Sequence, residues 1–503
     1  MKFAKKGILG KVKCSTIVEC FFLSILSLCS VVLYEYGSVN GLAVCILILL
    51  FNGVLYILRD GLADNITLAA FLLTYFTFLL TRVVFPLFFN TDELVLNLGE
   101  TAFNEEIDLF VNLCLFVSLL FVYIGYRSNP RNNADLKDNR ITFNRLKSIS
   151  RVRRFSKRAA VIFSIFALIS ILDQIRYVLH YGYMDFYLNY KANVPYLIIF
   201  MASFFEYFVI FYLATMPTKK ESQWIISLYL FVNILSMGMG QRGGAVVSII
   251  FIITYYFLRN KIDPGAKPWI SRKGIISIII LFPVFVSFLF LVAFIRTEKE
   301  IETQGTTNLV VSFFYQQGVS INVLGYTKHF EDILPEGKLY SAGKIVDFIN
   351  HNAISQILFD KDPVKPQTTE HALEDHTLHA TLTYYGSPSL YFSGGGYGGC
   401  YIADLYADFG YIGIIIGSFI LGICLANIKR WCTRSFWLTS AGLLMYTRII
   451  MAPRANFIDF IYVFVPFTAI ISYAIIFCVK NNFLQQILCG KYSDINKESI
   501  SII

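Results

Sequence analysis

Long apolar runs recur along almost the whole chain, and they limit its possible folds more than any other feature. A helix needs about 18 or more mostly apolar residues to cross the hydrocarbon core of a bilayer. Twelve apolar runs, eleven of them at least 18 residues long, lie at 17–34, 38–58, 66–88, 107–126, 159–180, 196–216, 223–240, 243–258, 274–296, 401–426, 435–452 and 457–479. Hydrophobic residues make up 56% of the chain and charged residues 15%, which excludes an ordinary soluble globular protein. The sequence therefore predicts an all-α polytopic membrane protein with about twelve transmembrane helices.

The positions of Lys and Arg predict the orientation of these helices, because basic loops stay on the cytoplasmic side. With a cytoplasmic amino terminus, the cytoplasmic segments hold 30 of the 43 Lys and Arg, and the segment 127–158 alone holds eleven. The opposite segment 89–106 has five acidic residues and no basic one. We predict that both termini are cytoplasmic. The net charge of +9 follows from this orientation and indicates no nucleic-acid partner.

The first apolar run has a competing interpretation as a secretory signal peptide, since five lysines precede it. No small-x-small cleavage motif follows, and the run leads directly into the second span, so we predict a retained first helix. The ten cysteines show neither the spacing of a disulfide framework nor that of a metal site.

One large hydrophilic segment interrupts the series of helices and defines the domain organisation. Helices 1–9 and the basic loop 127–158 occupy residues 1–296, a large extracytoplasmic loop follows at 297–400, helices 10–12 occupy 401–479, and 480–503 form a cytoplasmic tail. The loop 297–400 has twelve acidic residues, six lysines, no arginine and five of the six histidines of the chain. We expect much of the site chemistry in this loop, which is called the polar segment below.

Six arginines lie at or near helix ends on the predicted outer side: Arg82, Arg176, Arg242, Arg296, Arg448 and Arg454. A guanidinium stays charged when it is partly desolvated and binds phosphate through two hydrogen bonds, which favours a lipid diphosphate head group as its ligand. Each arginine could instead snorkel to lipid phosphate, and Arg82 and Arg176 are the most suited to a structural role. A buried ion network of Asp173, Arg176 and Glu206 is one such alternative.

Arg242 stands out because glycines flank it in the stretch SMGMGQRGGAVVS, residues 236–248. Glycines allow close approach to the backbone, and Gly243 is predicted to begin a helix whose first amides face outward. A helix amino terminus beside an arginine favours an anion.

The stretch CYIADLYADFGYIGIIIGSFILG at 400–422 resembles a motif of the bacterial repeat-unit polymerases of O-antigen and capsule, the Wzy type. QRGG at 241–244, the long loop before the motif, and PRANF at 453–457 occur in the matching order. The family pattern has Glu and Asn where this chain has Asp404 and Asp408.

This resemblance implies a membrane glycosyltransferase with a GT-C-like fold in the bacterial cytoplasmic (inner) membrane. The donor is a growing glycan on undecaprenyl diphosphate, and the acceptor is one lipid-linked repeat unit. The terminal sugar hydroxyl of the acceptor attacks the anomeric carbon of the donor, and the lipid diphosphate leaves. A chain-length regulator and a flippase are further partners.

Such a transfer needs cations for the leaving diphosphate, a base for the attacking hydroxyl and a surface for sugars. For the diphosphate we favour Arg242 and Arg296, followed by Arg448 and Arg454. For the base we favour His376 or His379, which share the stretch 371–379 with Glu374 and Asp375. The sugar surface would comprise Tyr385 and Tyr397, with Tyr384 and Tyr391, because tyrosines stack on sugars and bind their hydroxyls.

A metal ion is the main alternative for the charged residues of the polar segment. The histidine spacing within 371–379 and the pair Asp360 and Asp362 would both suit one. We expect no metal and no other cofactor, since the arginines already supply positive charge. Asp404 and Asp408 would lie on one helix face and either orient the arginines or cap that helix.

A lipid-linked oligosaccharide flippase or transporter is the main rival function, since twelve spans also fit a carrier. Carriers often contain repeated halves around a binding site at the membrane midplane. Here the only mid-span acid is Glu206, and the other charges gather at the predicted outer ends. An O-antigen ligase is a second rival, and the sequence does not separate it from a polymerase.

Overall fold

The computed structural model describes residues 14–89, 103–128, 147–263, 268–271, 309–351 and 364–481, together with residues 273, 274, 276, 280 and 355. Within these ranges every regular element is a helix. The all-α prediction is therefore confirmed for the described part of the chain.

In the described residues, nine helices precede the polar segment. They are α1 (Cys14–Glu35), α2 (Val39–Asp60), α3 (Ile66–Leu87), α4 (Glu105–Arg127), α5 (Lys147–Tyr181), α6 (Tyr183–Asn189), α7 (Tyr196–Ala214), α8 (Lys219–Leu235) and α9 (Gly243–Ile262). Short helices then follow in the polar segment: α10 (Leu309–Gln317), α11 (Ile321–His329), α12 (Gly343–His351), α13 (Thr369–Leu373), α14 (Leu378–Gly386) and α15 (Pro388–Phe392). The last elements are α16 (Tyr401–Arg434), α17 (Phe436–Ile449), α18 (Asp459–Tyr462) and α19 (Phe467–Asn481).

Nine described helices are long and apolar enough to cross a membrane, so the chain is a polytopic membrane protein. They are α1–α5, α7–α9 and α16, and each overlaps most of one of the twelve predicted runs. Most of the predicted run 274–296 lies outside the described residues. The last two predicted runs contain shorter helices, α17 and α19, because the backbone leaves the α-helical form between residues 450 and 466. The number of twelve spans stays a prediction.

The close packing of α4 against α16 forms the centre of the helix bundle. A Cβ atom on Gly422 would lie 2.2 Å from the carbonyl oxygen of Val122, and one on Gly125 would lie 2.3 Å from that of Phe419. Small residues allow two helix backbones to approach in this way. Ser118 Oγ also lies 2.9 Å from Ser418 Oγ, so hydroxyl groups join the same two helices.

The amino-terminal part of α16 is separated from the rest of that helix by a break at Gly410. Gly410 has φ 58° and ψ −146°, a conformation that residues with a side chain rarely adopt. Residues 401–409 can therefore follow a direction different from that of the long apolar part. The two acids of the family-like motif, Asp404 and Asp408, lie in this first part.

Ion pairs join helices at the ends that carry the basic loops. Asp64 binds Lys261 and Lys429, each with a nitrogen–oxygen distance of 2.7 Å. Arg127 binds Glu19 at 2.7 Å. These contacts fix the ends of the bundle that lie away from the polar segment, so the polar groups described next are held on a well-connected scaffold.

Candidate functional site

A cavity of about 290 Å³ lies among α7, α8, α9 and α17. Its lining combines charged and amide groups with small residues: Glu206, Asn233, Gly243, Gly244, Thr447, Arg448 and Asp459, beside apolar side chains. The cavity therefore lies where α9 begins and α17 ends.

Arg448 and Glu206 form the central ion pair of this cavity, with 2.6 Å between Arg448 Nη2 and Glu206 Oε2. Glu206 is the acid that the sequence places in mid-span. The alternative network with Asp173 and Arg176 is wrong, because Glu206 pairs with Arg448. Asp173 instead accepts hydrogen bonds from the hydroxyl of Tyr190 and the backbone of Asn193.

Arg242 is the residue just before α9, so the predicted helix start at Gly243 is confirmed. Gly243 and Gly244 line the cavity, and a Cβ atom on Gly243 would meet no atom within 4 Å. The chain reaches Arg242 through Gly240, which has φ 80° and packs so closely on Tyr183 that a Cβ atom would lie 2.6 Å from its ring. The structure thus brings the helix start, Arg242 and Arg448 to one region.

Arg454 lies beyond the end of α17, between two residues that line the cavity, Met451 and Ala455. Its Nη1 lies 3.4 Å from Gln317 Oε1, and its guanidinium lies over the ring of Phe78. It therefore connects the rim of the cavity to α3 and α10.

Arg82, another arginine of the predicted set, is not among the residues that line this cavity. Arg82 donates hydrogen bonds to the carbonyl of Tyr315 and to Asn322, which fits the structural role expected for it. Arg296 lies outside the described residues.

His376 lies in the polar segment and is held by Asp347 of α12. The backbone nitrogen and Nδ1 of His376 are each 3.0 Å from Asp347 Oδ1. A carboxylate only accepts hydrogen bonds, so Nδ1 carries the proton and Nε2 is left as the acceptor. This is the tautomer that a general base needs. The sequence did not single out Asp347, because it lies 29 residues from His376 and has no local motif.

Asp375 is grouped with His351 and His371. Its side chain is buried, Oδ1 lies 3.0 Å from His351 Nε2, and Oδ2 lies 3.9 Å from His371 Nε2. Burial raises the pKa of Asp375 and lowers the pKa of His371. Asp375 therefore lies against histidines that the sequence analysis had not proposed as a group.

His379 and Glu374, the other candidates from the same stretch, have contrasting environments. Burial lowers the pKa of His379 to about 4, and its Nδ1 has no hydrogen-bond partner in the described part of the chain. Glu374 is exposed. Of the two candidate bases, His376 has the better-defined orientation.

The predicted tyrosines pack mainly on other aromatic rings. Tyr397 stacks on Tyr326 with ring centres 4.5 Å apart, and Tyr385 packs against Phe330 at 5.9 Å. Both remain partly exposed.

Asp404 and Asp408 bind backbone amides of neighbouring segments. Asp404 is buried and accepts from the amide of Phe457, 3.0 Å away. Asp408 accepts from the amides of Tyr340 and Ser341, at 2.9 and 2.6 Å. The two acids therefore anchor the start of α16 to the segment after Arg454 and to the turn before α12.

Helix α12 connects the histidines to the cavity. Lys344 binds Asp459, which lines the cavity, with a nitrogen–oxygen distance of 2.6 Å. Asp347, which holds His376, follows Lys344 by three residues and therefore lies on the same face of α12. One turn of α12 thus joins the polar residues of the cavity to those around His376.

These observations define a class: a multi-pass helical membrane protein with a charged cavity at the helix ends and a histidine-bearing polar segment beside it. The chain belongs to the O-antigen polysaccharide polymerase Wzy family, whose model matches residues 16–486. Its function is the polymerisation of repeat units in O-antigen synthesis. No curated protein and no solved structure matched the chain.

The family match confirms the resemblance stated from the motifs at 241–244, 400–422 and 453–457. It also favours the polymerase over the flippase, transporter and ligase alternatives.

Proposed function

We propose that this polymerase is an integral membrane glycosyltransferase of the bacterial cytoplasmic (inner) membrane, with a GT-C-like fold and twelve spans. Both termini are cytoplasmic, and the polar segment lies on the outer face. The donor glycan and the acceptor repeat unit are each carried on undecaprenyl diphosphate. A flippase supplies the acceptor, and a chain-length regulator acts with the polymerase.

The observation that carries this mechanism is the cavity that contains Arg448 and the start of α9. The first amides of a helix have no partner within the helix, and the helix dipole makes this end positive. Gly243 and Gly244 place no side chain over these amides. Because Glu206 holds Arg448 in position, an arriving diphosphate meets a guanidinium that is already oriented.

The leaving diphosphate gains negative charge as its bond to the sugar breaks, so cations that bind it most tightly at that point lower the barrier. Arg448 and the amides of α9 bind it inside the cavity, and Arg242 and Arg454 bind it at the rim. Arg296 completes the set. These groups supply the positive charge, so the transfer uses no catalytic metal and no other cofactor.

The acceptor reacts through a hydroxyl of its terminal sugar. The hydroxyl oxygen forms a bond to the anomeric carbon of the donor, the bond from that carbon to the diphosphate oxygen breaks, and the lipid diphosphate leaves with the electron pair. Nε2 of His376 accepts the hydroxyl proton, and Asp347 orients the ring. Glu374, Asp375 and His379 support this loop.

The sugars contact the tyrosines of the polar segment. Tyr385 and Tyr397 are held by aromatic neighbours, so each presents its remaining ring face at little cost in side-chain entropy. Asp404 and Asp408 support this surface and the arginines through the backbone of the segments that they anchor.

The test uses the purified protein in vesicles with one lipid-diphosphate-linked repeat unit, with products separated by size on a gel. We expect a ladder from the wild type and its loss in Arg448→Ala. Glu206→Gln, which keeps a hydrogen-bond partner for Arg448, tests the same pair with less risk to folding, and we expect a ladder reduced about tenfold or more.

Arg434→Ala is the matched control, since Arg434 is exposed at the far end of α16. It should give the wild-type ladder. A normal ladder from folded Arg448→Ala would rule out the cavity as the diphosphate site. Transport of labelled lipid-linked sugar across the vesicle wall without a ladder would show a flippase.

A further inference from the structure

Three potential metal ligands from separate stretches of the polar segment converge at one point. Asp347 and His351 lie on α12, and Asp375 precedes α14. One oxygen or nitrogen atom from each residue lies within 4.8 Å of those of the other two. None of the three lines the cavity of Arg448, so this group is a site of its own.

The spacing of these atoms suits a small ion. His351 Nε2 and Asp375 Oδ1 are 3.0 Å apart. Neighbouring ligands on a tetrahedral zinc ion, with bonds of about 2.0–2.1 Å, are about 3.3 Å apart. Asp347 and His351 are four residues apart on a helix, so they project from one face.

Asp375 is the buried member of the group, and the imidazoles of His351 and His371 are its neighbours. The residue is only 7% exposed, and no donor in the described ranges meets its buried Oδ1 at hydrogen-bonding angles, although His351 Nε2 is near. Buried carboxylates are commonly paired with a cation or bound to metal, and histidine is a common metal ligand.

His371 lies near Asp375 but outside the three ligands whose atoms are all within 4.8 Å of one another. Its Nδ1 lies 2.8 Å from the hydroxyl of Tyr391, and that hydroxyl donates its proton to the carbonyl of Thr368. The hydroxyl oxygen must therefore accept from Nδ1–H, which leaves the lone pair of Nε2 directed towards Asp375, 3.9 Å from Oδ2. Metal-binding histidines are commonly fixed by a hydrogen bond from the second nitrogen in this way.

Asp347 is oriented by further hydrogen bonds. Its carboxylate accepts from the backbone and ring of His376 and from the hydroxyl of Thr377. Ligating carboxylates are usually held by such outer contacts.

We propose that Asp347, His351, Asp375 and His371 bind one structural Zn²⁺ ion that fastens residues 371–379 onto α12. Two imidazoles and two carboxylates suit zinc, which needs no further ligand in a closed four-coordinate site. The ion neutralises Asp375 and holds the loop that carries His376. It does not touch the lipid diphosphate, and its test does not depend on the transfer mechanism, although Asp347 also orients His376.

The test measures metal rather than polymerisation. The full-length protein, purified in detergent with its affinity tag removed, is incubated with ZnCl₂, separated from free ion and analysed by mass spectrometry for metals. We expect about one zinc per chain for the wild type and less than about a tenth of that for Asp375→Asn, which keeps the size of the side chain. Zinc should also raise the apparent Tm of the wild type but not that of Asp375→Asn.

His329→Ala is the control, because His329 is an exposed histidine of the same segment. It should bind zinc like the wild type. Asp347→Asn provides a second variant should Asp375→Asn fold poorly. A wild-type protein that binds no zinc would overturn the proposal. Zinc binding equal to that of the wild type in folded Asp375→Asn and Asp347→Asn would also overturn it.

Discussion

Single charged residues in this polymerase depend on partners that lie far away in the sequence. Arg448 pairs with Glu206, 242 residues earlier, and His376 is held by Asp347, 29 residues earlier. In each case a group suited to bind or move charge is oriented by a carboxylate. The function of either residue is therefore sensitive to changes at its partner.

Arg242 should be more sensitive to its chemical type than to its charge. We predict that Arg242→Lys lowers the polymerisation rate nearly as much as Arg242→Ala, about 100-fold, because a lysine cannot bind diphosphate through two parallel hydrogen bonds. The vesicle assay with initial-rate measurement checks this, with Arg434→Lys as control. Wild-type rates for Arg242→Lys would mean that charge alone suffices.

His379 should make the protein less stable in acid. Its pKa is about 4 in the folded protein against 6.5 for the free side chain, so unfolding takes up a proton between these values. The contribution of neutral His379 to the free energy of unfolding is intact above pH 6.5 and is lost as the pH falls towards 4. At pH 5 the loss is roughly 2 kcal/mol. We predict a smaller fall in apparent Tm between pH 7.5 and pH 5 for His379→Gln than for the wild type. Equal falls would show that His379 can be protonated in place.

Sequence reasoning singled out arginines and histidines of the candidate site but not the carboxylates that hold them. The residue types and the glycines around Arg242 are local features, so they can be read from one stretch. Asp347 and His351 have no such local feature. Only the fold of α12 against residues 371–379 brings Asp347 to His376 and His351 to Asp375. For the same reason the sequence analysis missed that Asp404 and Asp408 bind backbone amides rather than arginine side chains.

Among the helices, α4 and α16 form the closest pair because glycines face carbonyl oxygens across their contact. We predict that Gly422→Ala lowers stability by about 1–3 kcal/mol, since the added methyl meets the backbone of Val122 at 2.2 Å and one helix must move. Fluorescence-detected size exclusion after heating measures this. Gly243→Ala is the control for folding, because that position has open space. Unchanged stability in Gly422→Ala would mean that the two helices can separate freely.

The positions of the long helices followed from hydropathy because a bilayer imposes a minimum apolar length. This reasoning worked less well near residues 450–466, where a 3₁₀ turn at Ala452–Arg454 and the short α18 replace regular helix. The apolar composition continues there, but Pro453 and Pro466 interrupt helical hydrogen bonding. Composition therefore did not show that the chain between the helical parts of the last two predicted runs forms the rim of the cavity.

For the whole molecule, the predicted orientation places the polar segment outside the cell membrane and the basic loops inside. We predict that a cysteine at Glu336, an exposed residue of the polar segment, reacts with an impermeant maleimide in intact spheroplasts. A cysteine at Lys220, an exposed residue in the first turn of α8, should react only after permeabilisation. The unsubstituted protein gives the background from native cysteines, and the opposite pattern would invert the topology.

The glycine contact between α4 and α16 also limits the conformational changes that are open to the polymerase. Because there is no space at their contact, the two helices cannot slide past each other by one turn. We therefore expect α4 and α16 to keep their relative position during each catalytic cycle. The movements that admit a new repeat unit and release the spent lipid carrier would then occur in the elements around this helix pair. The growing glycan would thus move past a helix pair, α4 and α16, that does not itself move.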